Sequence, residues 1–462
     1  VTRKVLRRHT KILCGFNGWH VGLLFGFGRW VAPMFDIRYW SGGARRRRRW
    51  ADAGGGMMAT ERIEPRRSAP PGRRPELDAI RALVVVGLVF FHSGLVFDTR
   101  DDYYVKNAET TDATTIAAGF GVVWAMPMLF LIAGLGSWHS LHRRGPAAFA
   151  VERLRRLGVP LVFATLTIIP VPQWLRLRAD PEYHESYLRF LPRFFDSRLE
   201  PAEFPFVVQG EYFETGHLWF VVLLLAFSLL LAPVVRWLPR DRGCRIRDRL
   251  AAAAQVRGAV LLPAIPVAVI SALVGLEEAY AGWSRWAYLL FFLYGFVLAA
   301  DERFRAAMRR DAVLAAALGL ALFLIGMPAF LLASDAPGSD PFTDMTALAI
   351  GARTLYGAAG WCWLVAILGL LDRRRSTPAA VQSRPDGQGR RLYGYLAAAV
   401  LPLYILHQPI VVAVAYRVVR WDAPIGVKYP VIVAVSLVLT VAAYDLLVRR
   451  TRVTRFLFGM RG

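Results

Sequence analysis

The chain has 462 residues, of which 55% are hydrophobic and 20% charged, with a mean hydropathy of +0.37. Its apolar residues fall in blocks of about 20, the length that spans a bilayer, which excludes a soluble multidomain enzyme and a disordered chain. Three scattered cysteines (Cys14, Cys244, Cys362) exclude a disulfide scaffold. The net charge of +23 would point to nucleic acid in a soluble domain. Here the arginines sit in short segments between apolar blocks, where positive charge sets membrane topology. No zinc-ligand spacing or RNA-binding signature accompanies them, so nucleic acid is not expected as a partner.

Residues 1–73 read as a basic, poorly ordered extension. They hold Arg45-Arg46-Arg47-Arg48-Arg49, a glycine run at 54–56 and then Met57-Met58. The first residue is Val, and Met57 or Met58 is the more natural start, which would leave 1–56 as upstream translation. Residues 13–35 mimic a span but contain Asn17, His20 and Arg29. A crossing there would leave Arg3, Lys4, Arg7, Arg8 and Lys11 outside, against the charge rule.

From Ile80 onward the pattern predicts an all-α polytopic membrane protein, with about ten transmembrane helices in one bundle. The spans lie near 80–97, 116–138, 157–176, 216–235, 258–276, 283–300, 313–333, 345–371, 392–416 and 427–448. They belong to one domain over 74–450, followed by a basic tail at 451–462. The segments between them alternate in charge. Those after the even-numbered spans are arginine-rich, for example Arg143, Arg144, Arg153, Arg155 and Arg156. The opposite segments are acidic or neutral, for example Asp98, Asp101 and Asp102, or Asp335, Asp340 and Asp344. This alternation predicts an even span count, both termini cytoplasmic and a plasma (inner) membrane location. The segment holding Arg417, Arg420 and Lys428 departs from it. The loop over 177–215 is long and rich in aromatics and acids. Long ordered loops tend to be functional; contact with a sugar or lipid headgroup and a plain interfacial anchor fit it equally.

Few ionisable groups lie inside the spans, and such groups are costly there. The first is His92. It follows Arg81 by 92 − 81 = 11 positions, which at ~100° per residue is about 20° off three turns and rises roughly 16 Å. Both side chains therefore share one helix face, with Arg81 at the cytoplasmic edge and His92 past the middle. The bland alternative is a structural histidine bonded to a carbonyl. Next come Arg153 and Arg156, three apart on one predicted face. Two guanidiniums so placed can grip phosphates, although a positive-inside anchor reads the same way. His217 starts the fourth span at its outer end. His407 lies deep in the ninth, in Tyr404-Ile405-Leu406-His407-Gln408-Pro409, about as deep as His92. His9, His20, His139, His142 and His184 are expected at the surface, and Cys362 as a small buried residue. No phosphate loop, nucleophile elbow or zinc helix is present, and no metal is expected.

These segments together resemble membrane acyltransferase family 3, the integral membrane O-acyltransferases, and within it the branch of glucan biosynthesis protein C-like succinyltransferases. The likeness rests on Glu76-Leu77-Asp78 and Arg81 with His92 following, and on Met126-Pro127-Met128-Leu129-Phe130-Leu131-Ile132-Ala133-Gly134 leading to Arg153, Arg156, Leu157 and Pro160. His217-Leu218-Trp219-Phe220 and Tyr404-Ile405-Leu406-His407 complete it. It covers about 74–450. The resemblance implies transfer of an acyl group, acetyl or succinyl, from cytosolic acyl-CoA as co-substrate to a hydroxyl of an extracytoplasmic glycan or lipid, with no bound cofactor. Arg153 and Arg156 would hold the donor's phosphates, and the catalytic residues would be His92, acting as base, and Arg81, which would add a phosphate contact or orient the helix through Asp78. His217, His407 and Tyr404 would orient the acceptor or steady the oxyanion. The competing classes are a transporter or flippase using an intramembrane histidine relay, and a membrane sensor or scaffold. The first would usually show repeats or broken helices, which the sequence lacks.

Overall fold

The computed structural model describes residues 75–335, 338–375 and 387–460. The readings made of residues 1–73 lie outside the described residues. The described chain is helical, with one small hairpin, and eight helices are long and apolar enough to cross a membrane.

Helix α1 (Pro75–Leu95) opens on Pro75 with Glu76 and Asp78 in its first turn, where a missing N–H costs nothing and negative charge meets the helix dipole. Helix α2 (Asp112–Arg144) is capped by the Thr111 hydroxyl, which accepts from Ala113 N. It closes on His142, Arg143 and Arg144 and on Gly145, whose φ of 79° lets its N–H return to the Leu141 carbonyl. Helix α3 (Pro146–Arg153), a π-turn at Leu154–Gly158, α4 (Val159–Thr167) and α5 (Pro170–Arg178) together make the third span, Pro146–Arg178. The long loop is ordered: α6 (Tyr187–Phe194) precedes an antiparallel pair, β1 (Ser197–Leu199) and β2 (Val208–Gly210), with Ser197 opposite Gly210. Its Phe190 and Phe194 are fully buried, so those two aromatics serve packing. Then come α7 (Trp219–Trp237), α8 (Arg240–Ala253), α9 (Ala264–Leu273), α10 (Arg285–Leu298), α11 (Glu302–Ser334), α12 (Ala347–Arg375), α13 (Gly387–Val418), α14 (Ile425–Ala443) and α15 (Arg452–Leu457).

The all-α polytopic expectation holds, and eight of the predicted spans are helices long and apolar enough to cross a membrane. The fifth and sixth apolar blocks form the short helices Ala259–Leu273 and α10. At 1.5 Å per residue a 14-residue helix covers roughly 21 Å, less than the ~30 Å hydrocarbon core. Gly275 (φ 88°) follows the first of them and Ser284 caps α10, so the two helices end within a few residues of the predicted bounds. Both segments still connect the two ends of the bundle. Asp311 near the basic end accepts from Gly258 N at 2.9 Å, while Leu276 N donates to Phe342 O at the acidic end.

The core is built on close helix crossings. Helix α10 lies against α2 with Tyr288, Phe291 and Phe292 fully buried. There Gly134 and Gly295 face each other's helices. A Cβ on Gly134 would stand 2.0 Å from the Phe292 carbonyl oxygen, and one on Gly295 1.9 Å from that of Leu131. Small residues let helix backbones approach in a bilayer, where dispersion and not water drives association. Helix α12 packs on α9 and α11 by the same device at Gly357 and Gly369. Leu324, Ile325 and Leu332 of α11 and Val438 and Leu447 beyond it are exposed, as lipid-facing residues should be.

Two buried cations were not read as such from the sequence. Arg353, fully buried in α12, donates to the carbonyls of Pro341 (3.0 Å) and Ala272 (3.1 Å), tying a loop to α9. Lys428 donates to Asn107 Oδ1 (2.9 Å) and Val419 O (3.0 Å), and Arg420 stacks on Tyr416 at 3.9 Å. The cations that break the charge alternation are thus occupied: one is a tie to the loop after α1, another lies on a ring.

That loop gathers acids. Burial pushes the Asp101 carboxyl up to about 6, with Glu278 and Asp98 adding to the shift. The free group titrates near 3.9, so the folded state holds the extra proton between these values and stability falls as pH rises from about 4 through 6. Asp101→Asn is therefore expected to raise the Tm of the detergent-solubilised protein at about pH 7.5 and to leave it nearly unchanged at about pH 4, as scanning fluorimetry at both pH values would register.

Candidate active site

The structure brings His92, His217 and His407 together. His92 lies in the last turn of α1, His217 in a 3₁₀ turn (Gly216–Leu218) leading into α7, and His407 in the middle of α13. The His407 ring is 5.2 Å from that of His92 and 5.1 Å from that of His217, centroid to centroid. His407 thus stands between the other two. Tyr103, from the loop after α1, stacks on His92 at 5.8 Å with the planes 21° apart.

A proline two positions past His407 explains much of the local geometry. Pro409 has no N–H, so the Ile405 carbonyl four residues back lacks its helical partner. His217 Nε2 takes that place, 3.0 Å from Ile405 O. Facing a carbonyl, Nε2 carries the proton, and in the neutral ring Nδ1 keeps a lone pair. His407 Nδ1 lies 2.6 Å from Tyr404 O, so the same reasoning leaves Nε2 as its basic nitrogen. His217 Nδ1, His407 Nε2 and His92 Nδ1 are buried without a hydrogen-bond partner among the described residues. The main chain of His217 is held by Gln408, whose Oε1 accepts from His217 N (3.3 Å), and by Tyr404, whose hydroxyl donates to His217 O. Gly216 (φ 48°) makes the turn and leaves room for Tyr104 and Gln408, 3.4 and 3.7 Å from where a Cβ would stand. Toward the acidic end the Tyr104 hydroxyl donates to Glu214 at 2.5 Å. Burial keeps that carboxyl above its ordinary range, against the pull of Tyr104 and Arg176.

A cavity of about 280 Å³ adjoins the cluster between α1 and α2. His92, His217 and Tyr404 line it at one end, while His407, fully buried, sits behind them. The remaining walls are apolar, among them Leu83, Leu88, Met126 and Trp219.

The predicted arginines gather toward the other end. Arg81 Nη1 bonds Asp78 Oδ1 (3.3 Å), and Nη2 donates to Ile132 O of α2 (3.1 Å). Arg153 Nη2 donates to Ser137 Oγ (3.3 Å), and its guanidinium lies over the Phe149 ring at 4.9 Å. Arg156 reaches Gly459 O (3.4 Å) and Glu152 (3.5 Å). The charged groups around Arg153 are Glu152, Arg156, Arg81 and Arg144. Arg153 and Arg156 bond different partners, with a π-turn beginning between them, yet both lie beside Glu152. The cavity ends at Leu83 and Met126, whereas Arg81 binds six residues further along α2, roughly 9 Å of rise. Among the described residues no group of three or more His, Cys, Asp or Glu side chains has metal-holding geometry.

Sequence reasoning found the three histidines but not their grouping, and it missed Tyr103 and the role of Gln408. The His-Gln-Pro order was the available signal for the latter: a proline frees a carbonyl that a neighbouring donor must meet. A loop residue such as Tyr103 carries no periodicity that would announce it.

Fold and site define a multi-pass membrane protein with a buried imidazole cluster beside an apolar cavity. The sequence matches the family described as Acyltransferase domain (Acyl_transf_3) over residues 74–449. The chain belongs to this membrane acyltransferase family and is an acyltransferase. Comparison with curated proteins and with solved structures gave no match.

Proposed function

We propose that the protein is an O-acyltransferase that moves an acetyl or succinyl group from cytosolic acyl-CoA to a hydroxyl of an extracytoplasmic glycan or lipid. In this reading the basic end of the bundle faces the cytoplasm of a cell whose inner membrane holds the protein. The observation that carries it is the imidazole cluster: three rings with unbonded nitrogens, two of them on the wall of a cavity at membrane depth. Arg153, Arg156 and Arg81 would hold the donor's phosphates. His92 would take the proton of the acceptor hydroxyl as its oxygen attacks the thioester carbon. The C–S bond then breaks and the proton passes to the thiolate, leaving an ester and free CoA. His407 touches both other rings without lining the cavity, which suits orienting them. His217 and Tyr404 would face the acceptor or the oxyanion.

Mass spectrometry of envelope glycans and lipids from cells with and without the gene tests this. A mass increment lost with the gene names acyl group and acceptor, and identical spectra would refute the reading. Arg153→Gln should raise the KM for acyl-CoA about tenfold with kcat nearly unchanged, the loss of one charge-assisted hydrogen bond felt equally in ground and transition states. Steady-state kinetics with labelled acyl-CoA would measure it.

A further inference from the structure

The cavity beside His92 shows which part of a substrate it accommodates. Its polar atoms lie at the imidazole end, and every other wall is apolar. At about 280 Å³ it falls just under the roughly 300–1,000 Å³ of pockets that enclose a whole small molecule, so one part of a substrate enters and the rest stays outside. Two of its wall residues, Leu83 and Gly87, are exposed on the flank of α1. Leu83 is 63% exposed, and neighbouring Val86 and Phe90 are exposed too. This flank lies within an apolar span, so the mouth opens toward lipid and not toward water. Two glycines make the space: a Cβ on Gly87 or Gly121 would meet nothing within 4 Å. The cavity also stops short of Arg81 and Arg153. Coenzyme A, whose amides and phosphates need partners, matches neither the walls nor the mouth.

We propose that the α1–α2 cavity receives the hydrocarbon chain of a membrane-borne acceptor, which enters sideways from the bilayer and so brings its hydroxyl to His92. This rests on the acyltransferase reading and narrows its acceptor from glycan or lipid to a hydroxyl carried on a lipid chain. The donor comes from the basic end and the acceptor from the membrane, and the two meet at the imidazoles.

The test uses the full chain in proteoliposomes containing an alkyl glucoside with a photoreactive diazirine in its chain. Photolysis should place adducts on Met126 and Trp219, which are buried and line the cavity. In the Gly87→Leu/Gly121→Leu variant those adducts should be lost, while adducts on outward Phe90 remain. Adducts confined to outward residues in the wild-type protein would overturn the proposal, and that readout does not depend on the variant folding. Loss of the Met126 and Trp219 adducts on adding decanoyl-CoA, but not acetyl-CoA, would also overturn it, since the chain in the cavity would then be the donor's. Acyl transfer from labelled acyl-CoA is followed in separate wild-type vesicles of native lipid extract. Absence of any transfer there, with the buried adducts present, would refute the enzymatic reading and leave the cavity's occupant as assigned.

Discussion

His92→Ala is expected to lower acyl transfer by about 10²–10⁴-fold, the usual contribution of a positioned base, while the protein still inserts and elutes as wild type. His92 is the residue on which the proposed site converges. It lines the cavity, stacks on Tyr103 and touches His407, and its Nδ1 is buried without a hydrogen-bond partner among the described residues. Among the described residues the ring makes no hydrogen bond that holds the bundle together, so activity and folding should separate cleanly. His407→Ala should also reduce kcat, because its ring contacts both His92 and His217. Combined with His92→Ala, its loss should add far less than its effect alone, since groups acting as one unit are not additive. Labelled acyl-CoA consumption by purified protein in proteoliposomes measures each variant, and wild-type turnover by His92→Ala would remove the ring from the chemistry.

Gly295→Val is expected to abolish the folded bundle. The added Cβ would stand 1.9 Å from the Leu131 carbonyl oxygen and 2.7 Å from its carbon. These are backbone atoms of a long helix, so no flexible side chain can move aside, and α2 and α10 must separate. Overpacking of cores costs typically about 1–3 kcal/mol, occasionally more, when side chains can adjust; here the obstacle is main chain on both sides, which puts the cost at or beyond the top of that range. Gly134→Val should behave alike, because its Cβ would meet the Phe292 oxygen at 2.0 Å. Gly394→Ala is the control. A Cβ there meets nothing within 4 Å, and alanine is the better helix former by about 1 kcal/mol. Size-exclusion profiles and Tm values in detergent would compare the three, and a folded Gly295→Val of wild-type Tm would show that this crossing is not tight.

Most of the bundle was legible in the sequence because a bilayer permits few solutions. Long apolar blocks with arginines at alternate ends leave helices as the remaining choice. The eight long spans follow from that. The two shorter helices were placed as well, near 258–276 and 283–300, but hydropathy does not mark where Ser284 or Gly275 bounds a helix. Depth along a span was also readable: His92 and His407 were placed at similar depth from residue counting, and their rings are in contact. That His217 joins them depended on the Gly216 turn and on the carbonyl freed by Pro409, which concern tertiary placement. Arg153 and Arg156 were legible as a basic pair but not in their partners. Their spacing marked them as a pair, but the π-turn between them and the reach of Arg156 to Gly459 O leave no mark in composition. Arg353 went unremarked in its span because a guanidinium satisfied by two carbonyls leaves no sequence trace of its partners.

The Ile405 carbonyl has a wider implication. One oxygen serves as the anchor for a ring on another helix only because the amide that would otherwise claim it was never made. Regular helix and poised imidazole compete for the same acceptor. Restoring the amide with Pro409→Ala would strengthen the ninth predicted span and, in doing so, release the His217 ring from its fixed orientation. In this bundle a defect in secondary structure is the means by which one helix sets the tautomer of a histidine on its neighbour.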